Sequence, residues 1–164
     1  MRIIFISLVV MTGVFAGRAQ QPKSPLKVGQ QIPDIEGIYY QDRQFDLSQF
    51  KSKVIIVDFW ASWCGPCVKS VNTVLKPLYE EYSREDFEVI GISNDRKQSS
   101  WEKAIINWQL PWPNIWDDDQ SMVRSFGVPA IPTYFIIDNK GYILATNVFS
   151  ADLKKTVKQL LKEN

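Results

Sequence analysis

The sequence predicts an α/β domain: a central mixed β-sheet flanked by helices, with an extra β-hairpin on its N-terminal side. Three observations carry that expectation. Val54-Ile55-Ile56-Val57 is a β-branched run without alternation, the pattern of a strand buried on both faces. It is followed by a long stretch in which Val68, Val71, Val74, Leu75, Leu78, Tyr79 and Tyr82 recur at helical spacing and line one face. Near the C-terminus, Tyr134–Ile137 and Tyr142–Thr146 flank the turn residues Asp138-Asn139-Lys140-Gly141, a strand pair that leads into a last helix.

The remaining elements follow in order. Residues 20–28, with Pro22 and Pro25 among polar side chains, read as a flexible leader. From Ile32 to Leu47 short apolar stretches alternate with turn residues, which predicts the small hairpin. Phe87–Ile92 is a second apolar strand. Ser99-Ser100-Trp101-Glu102 has the form of a capping box, and Trp101, Ala104, Ile105 and Trp108 continue one helical face. Asp119–Phe126 predicts a short helix closed by Gly127, and Ser150 is the expected cap of the final helix, with Leu153, Val157, Leu160 and Leu161 inward. A strand–helix–strand unit followed by a hairpin and a helix implies a mixed sheet covered on both faces.

Composition narrows the chemistry. The 164 residues are 45% hydrophobic and 23% charged, enough for a single cored domain, assigned to residues 29–164. A formal net charge of +1 gives no reason to expect nucleic acid as a partner. The chain has no histidine, which removes Ser/His and Cys/His catalysis and argues against a zinc or copper site, so no metal and no cofactor is expected. Cys64 and Cys67 are its only cysteines.

Residues 1–19 have the form of a signal peptide. Arg2 supplies a positive start, Ile3 to Ala16 is an apolar run, and Gly17-Arg18-Ala19 puts small residues where a signal peptidase reads. The run is shorter than the ~20 residues that span a bilayer, although an uncleaved N-terminal anchor is the alternative. The expected location is therefore extracytoplasmic, as in a periplasm. In an oxidising compartment a thiol pair is either locked as a disulfide or kept working by a redox partner.

The segment Trp63-Cys64-Gly65-Pro66-Cys67 lies between the buried strand and the amphipathic helix. A helix N-terminus offers unpaired N–H groups and partial positive charge, which favour a thiolate at Cys64. Pro66 suits the first helical turn, where its missing N–H costs nothing, and Gly65 lets another chain come close. Cys67 falls one turn further in, less exposed and near enough to close a ring with Cys64. Cys64 is thus expected to attack a disulfide and Cys67 to resolve the mixed disulfide. Half a zinc site lacks further ligands, and an inert structural bridge would gain little from so short a loop.

Val57-Asp58-Phe59-Trp60-Ala61-Ser62-Trp63-Cys64-Gly65-Pro66-Cys67 resembles the active-site segment of thioredoxins. The extra N-terminal hairpin, the signal peptide and the stretch between the second strand and the last hairpin resemble the exported TlpA/ResA branch of that superfamily, and the likeness covers roughly residues 29–162. The likeness implies a thioredoxin fold with a Cys64–Cys67 dithiol–disulfide cycle. It implies that Ile131-Pro132-Thr133 is a cis-proline loop facing the cysteines, where the Ile131 backbone pairs with an extended substrate. Pro129 is the lesser candidate for the cis bond. Asp58 is expected to be buried with a raised pKa, able to exchange a proton with Cys67; an aspartate at a strand end otherwise points to solvent. Trp63 borders the cysteines and shapes the contact surface.

Departures from the family pattern are also legible. The strand Phe87–Ile92 carries no lysine to partner Asp58. Ser70 stands where many TlpA/ResA-type chains have glutamate, and Asn72 where a helix-kinking proline is usual, leaving Pro77 to bend the helix later. Trp101 and Trp108 are expected to pack in the core, and Asp117-Asp118-Asp119 to form a turn and helix start rather than a cation site.

The resulting expectation is an exported, monomeric protein-disulfide reductase. It would take electrons from a membrane or exported thiol donor and pass them to disulfides of other exported proteins. A thiol oxidase or isomerase, a peroxiredoxin-like peroxidase, and a metal-binding chaperone are the rival readings.

Overall fold

Strand β2 (Val54–Trp60) is buried at every position, as its unalternated apolar run requires, and everything else is arranged around it in this computed structural model. The structure describes residues 26–41, 45–146 and 148–163; the expected signal peptide and most of the leader lie outside them. The sheet has six strands in the order β1-β4-β3-β2-β5-β6: β1 (Ile38–Tyr39), β3 (Phe87–Ser93), β4 (Asn114–Trp116), β5 (Thr133–Ile137) and β6 (Ile143–Thr146) join β2. Strands β2, β3 and β4 run parallel, while β1, β5 and β6 each pair antiparallel, so the sheet is mixed as expected.

Two apolar layers form because alternate residues of β2 point to opposite faces. Val54, Ile56 and Trp60 share one layer with Cys64, Cys67, Val71, Leu75 and Leu78, with Trp101, Ala104 and Ile105, and with Leu153 and Val157. These come from α1 (Gly65–Ser70) and its N-cap Cys64, the π turn Val71–Leu75, α2 (Lys76–Glu81), α3 (Gln98–Trp108) and α5 (Ser150–Glu163). Ile55, Val57 and Phe59 form the other layer with Met122 and Phe126, on and just beyond α4 (Ser121–Ser125). A five-residue helix cannot cover that face. Ile32, Ile35, Phe45, Leu47 and Phe50 from the N-terminal segment pack there as well.

The described residues of the expected N-terminal hairpin supply one strand to the sheet. Among the described residues of the segment, Ile38–Tyr39 is the strand, and it pairs with β4 across the sheet rather than with a neighbouring arm. β4 itself escaped sequence reading, because three residues between Pro113 and Asp117 are too few to display a period. The capping box also dissolves. Lys97 is the N-cap of α3 without a side-chain cap, Ser99 and Ser100 lie inside its first turn, and Glu102 accepts from Gln98 Nε2 at 3.0 Å. Ser150 is the first residue of α5 rather than a residue preceding it, and its hydroxyl lies 3.1 Å from the Tyr134 hydroxyl.

Other expectations match. Trp101 is buried and stacks with Trp116, and Trp108 packs against Trp60 at 5.0 Å between ring centroids. Asp117 accepts the Val123 N–H at 2.8 Å and Asp119 that of Ser121 at 2.8 Å, the turn and helix-start role anticipated for the acidic run. Between α1 and α2 the helix widens to a π turn over Val71–Leu75. Pro77 follows immediately: it has no N–H for the Thr73 carbonyl and its ring crowds that carbonyl, so the helix is adjusted just upstream of it.

Candidate active site

The chain leaves β2 at Trp60 and turns through Ala61, Ser62 and Trp63 into α1. The Cys64 N–H closes this turn on the Ala61 carbonyl at 3.0 Å. Cys64 is the N-cap of α1, with extended backbone, and its Sγ accepts the Cys67 N–H at 3.1 Å. A sulfur at this position occupies the place of a capping oxygen, within the positive end of the helix. Cys64 and Cys67 form a disulfide with Cα atoms 5.2 Å apart. Cys64 retains 4% of its surface and Cys67 1%, so the inner cysteine is the more enclosed, as the helical spacing predicts. Around them Trp63 is 67% exposed and Gly65 and Pro66 are also exposed, with open space where a Gly65 Cβ would stand. Pro66 occupies the first turn of α1.

The Ile131–Pro132 bond is cis, the arrangement expected there rather than at Pro129. Register locates this loop. Phe59 pairs with Thr133 on β5, so Pro132 lies level with Trp60, where β2 gives way to the cysteine turn. Ile131 packs against the cluster that contains both cysteines. A cavity of about 190 Å³ beside it is lined by Pro129, Pro132, Thr133, Tyr134, Val148 and Phe149.

Asp58 is buried, not solvent-facing, with 2% exposure. By the alternation of β2 its side chain shares the face of Ile56 and Trp60, the face that Cys67 covers. Its Oδ1 has no hydrogen-bond partner among the described residues. The position opposite on β3 is Gly91, and no lysine stands there. Desolvation pushes the Asp58 carboxyl up to about 7. On the other side of Asp58 its cross-strand partner is Tyr134 of β5, whose phenol is pushed up to about 12 by burial first and by the charge of Asp58 second.

Tyr134 was not singled out from the sequence. Its hydroxyl donates to Ser70 Oγ at 2.6 Å, which gives the Ser70 departure a structural partner one turn beyond Cys67. Strand periodicity marks Tyr134 as inward, but sequence carries no sign that it meets a residue 64 positions away. A second contact without a local sequence signal joins Asp95 to Ser62, which donates through its N–H and its hydroxyl to the Asp95 carboxylate.

Comparisons with known proteins agree with this geometry. The Redoxin family model matches residues 27–161. The thiol-disulfide oxidoreductase ResA of Bacillus cereus is 23% identical over 99% of this chain and 96% of its own length. ResA of Geobacillus thermodenitrificans is 26% identical over 74% of this chain and 69% of its own. Among solved structures, the thioredoxin domain of a thiol-disulfide oxidoreductase from Bacteroides vulgatus superposes with a TM-score of 0.74 at 29% identity, covering 83% of this chain and 99% of that one. A thiol:disulfide interchange protein from Bacteroides sp. gives 0.73 at 30% identity, covering 84% and 91%. With the Cys64–Cys67 pair at a helix N-terminus over a mixed sheet, the chain belongs to the Redoxin family, as a TlpA/ResA-like thiol–disulfide oxidoreductase of the thioredoxin fold.

Proposed function

We propose that the protein is an exported reductase of disulfides in other exported proteins, recharged by a membrane-bound or exported thiol donor. The observation that carries the reading is the placement of Cys64 Sγ at the start of α1, accepting the Cys67 N–H beside the exposed Trp63. That environment favours a thiolate on the outer cysteine. The N-terminal apolar run supports export, and no helix among the described residues is long and apolar enough to cross a membrane.

The cycle follows from the site. The Cys64 thiolate attacks one sulfur of a client disulfide, whose S–S bond breaks and whose second sulfur leaves as a thiolate. The client segment lies along Ile131–Pro132 as an added strand, with Trp63, Gly65 and Pro66 forming the opposite wall. Asp58 takes the proton of Cys67, which then attacks Cys64 Sγ and displaces the client's remaining thiol. Two electrons have passed to the client, and the Cys64–Cys67 disulfide awaits the donor.

Trapping tests this. A Cys67→Ser variant expressed with its N-terminal segment should accumulate mixed disulfides through Cys64 with exported proteins. A chain that forms none, or that stays in the cytoplasm, contradicts the reading. The direction is tested by the potential: a value near about −270 mV is expected, whereas one near about −120 mV would make the protein an oxidant.

A further inference from the structure

We propose that Asp95 is a positioning residue for the cysteine turn, setting the reactivity of Cys64 through Ser62. Asp95 lies just beyond the end of β3 and is 2% exposed. Its Oδ2 accepts the Ser62 N–H at 2.9 Å and the Ser93 hydroxyl at 2.8 Å, and its Oδ1 accepts the Ser62 hydroxyl at 2.7 Å. Its carbonyl accepts the Trp116 indole N–H at 2.6 Å. Each donor is neutral, and no salt bridge joins Asp95 to a cation among the described residues. A buried carboxylate is costly unless it is hydrogen-bonded, and here the bonds from Ser62 and Ser93 that satisfy it also fix the position of the cysteine turn.

That geometry joins the carboxyl ends of the three parallel strands. Ser62 follows β2, Asp95 follows β3, and Trp116 ends β4. The Asn94 N–H adds a bond to the Trp60 carbonyl at 3.0 Å, and the Asp117 N–H one to Ser93 at 2.9 Å. Both bonds from Ser62 fall on the turn that delivers Cys64 to α1. Without them the turn is held by the Ala61–Cys64 hydrogen bond and by packing, and the aim of the helix N–H groups at Cys64 Sγ loosens. The thiolate then loses stabilisation.

The inference rests on Cys64 being the attacking thiol, which the wild type tests by itself. In the reduced protein iodoacetamide should label Cys64 before Cys67; the reverse order defeats the functional reading. The test of Asp95 uses Asp95→Asn and Ser62→Ala, the second keeping the buried charge in place. Both should move the pH midpoint of Cys64 labelling upward. Both should also slow reduction of insulin's disulfides, Asp95→Asn by at least about tenfold. Asp117→Asn keeps the backbone bond to Ser93 and alters a buried carboxylate that caps α4 and does not touch Ser62, so it should lower thermal stability without moving the midpoint. A midpoint unchanged in both folded variants overturns the proposal. So does a downward shift in Asp95→Asn, since it would mean the carboxylate acts only through its charge. If Asp95→Asn does not fold, Ser62→Ala decides.

Discussion

Asp58 is the residue whose environment most constrains the chemistry. In the unfolded chain it titrates at an ordinary 3.8, and in the fold near 7. Between those values the native state holds a proton that the unfolded state has lost. Its contribution to stability is therefore full below about 3.8 and falls as pH rises toward 7. Asp58→Asn should raise stability at pH 8 by on the order of 2–4 kcal/mol and leave it nearly unchanged at pH 4. Urea melts at the two pH values check this. The same variant should slow attack by Cys67 on a mixed disulfide by on the order of 10²-fold, because it cannot take the thiol proton. Rapid mixing with a preformed adduct at Cys64 reads that rate.

At the scale of elements, the contact between β3 and its neighbours depends on Gly91. A Cβ there would collide with the Asn114 side-chain oxygen and come within 2.9 Å of Trp60 Nε1. Both groups sit in the packed layer, where extra atoms force side chains off their rotamers. Gly91→Ala should cost about 1–3 kcal/mol in a denaturant melt. Gly65→Ala adds its methyl to open space and should melt close to wild type. The helix carrying the cysteines is a second element-level feature. Its π turn keeps Val71 and Leu75 buried while accommodating Pro77, so the run from Gly65 to Glu81 stays continuous.

For the molecule as a whole, the disulfide is a modest contributor to stability. It closes a loop between residues three apart in sequence, worth about 2 kcal/mol on the loop-closure account. The two apolar layers carry the fold. Reduction should leave far-UV and near-UV circular dichroism native and lower the melting temperature by about 4–8 °C. Loss of near-UV signal on reduction would show instead that the bridge holds the core together. A scaffold that stands in both redox states is what a cycling pair requires.

Much of this was determined by local sequence. The β-branched run of β2, the apolar period after Cys64 and the turn at Asp138–Gly141 each fix an element through contacts within a few residues. The cysteine pair at a helix start could be read the same way, because spacing alone sets which thiol is outer and which inner. Tertiary structure decided the rest. The N-terminal segment spans the second face because α4 is too short to cover it, a fact about areas that no local pattern records. Asp58 faces Gly91 and Tyr134, and Asp95 reaches Ser62 across 33 residues, because strand register brings them together. Register is set by burying whole faces of the sheet at once, and so it belongs to the assembled fold.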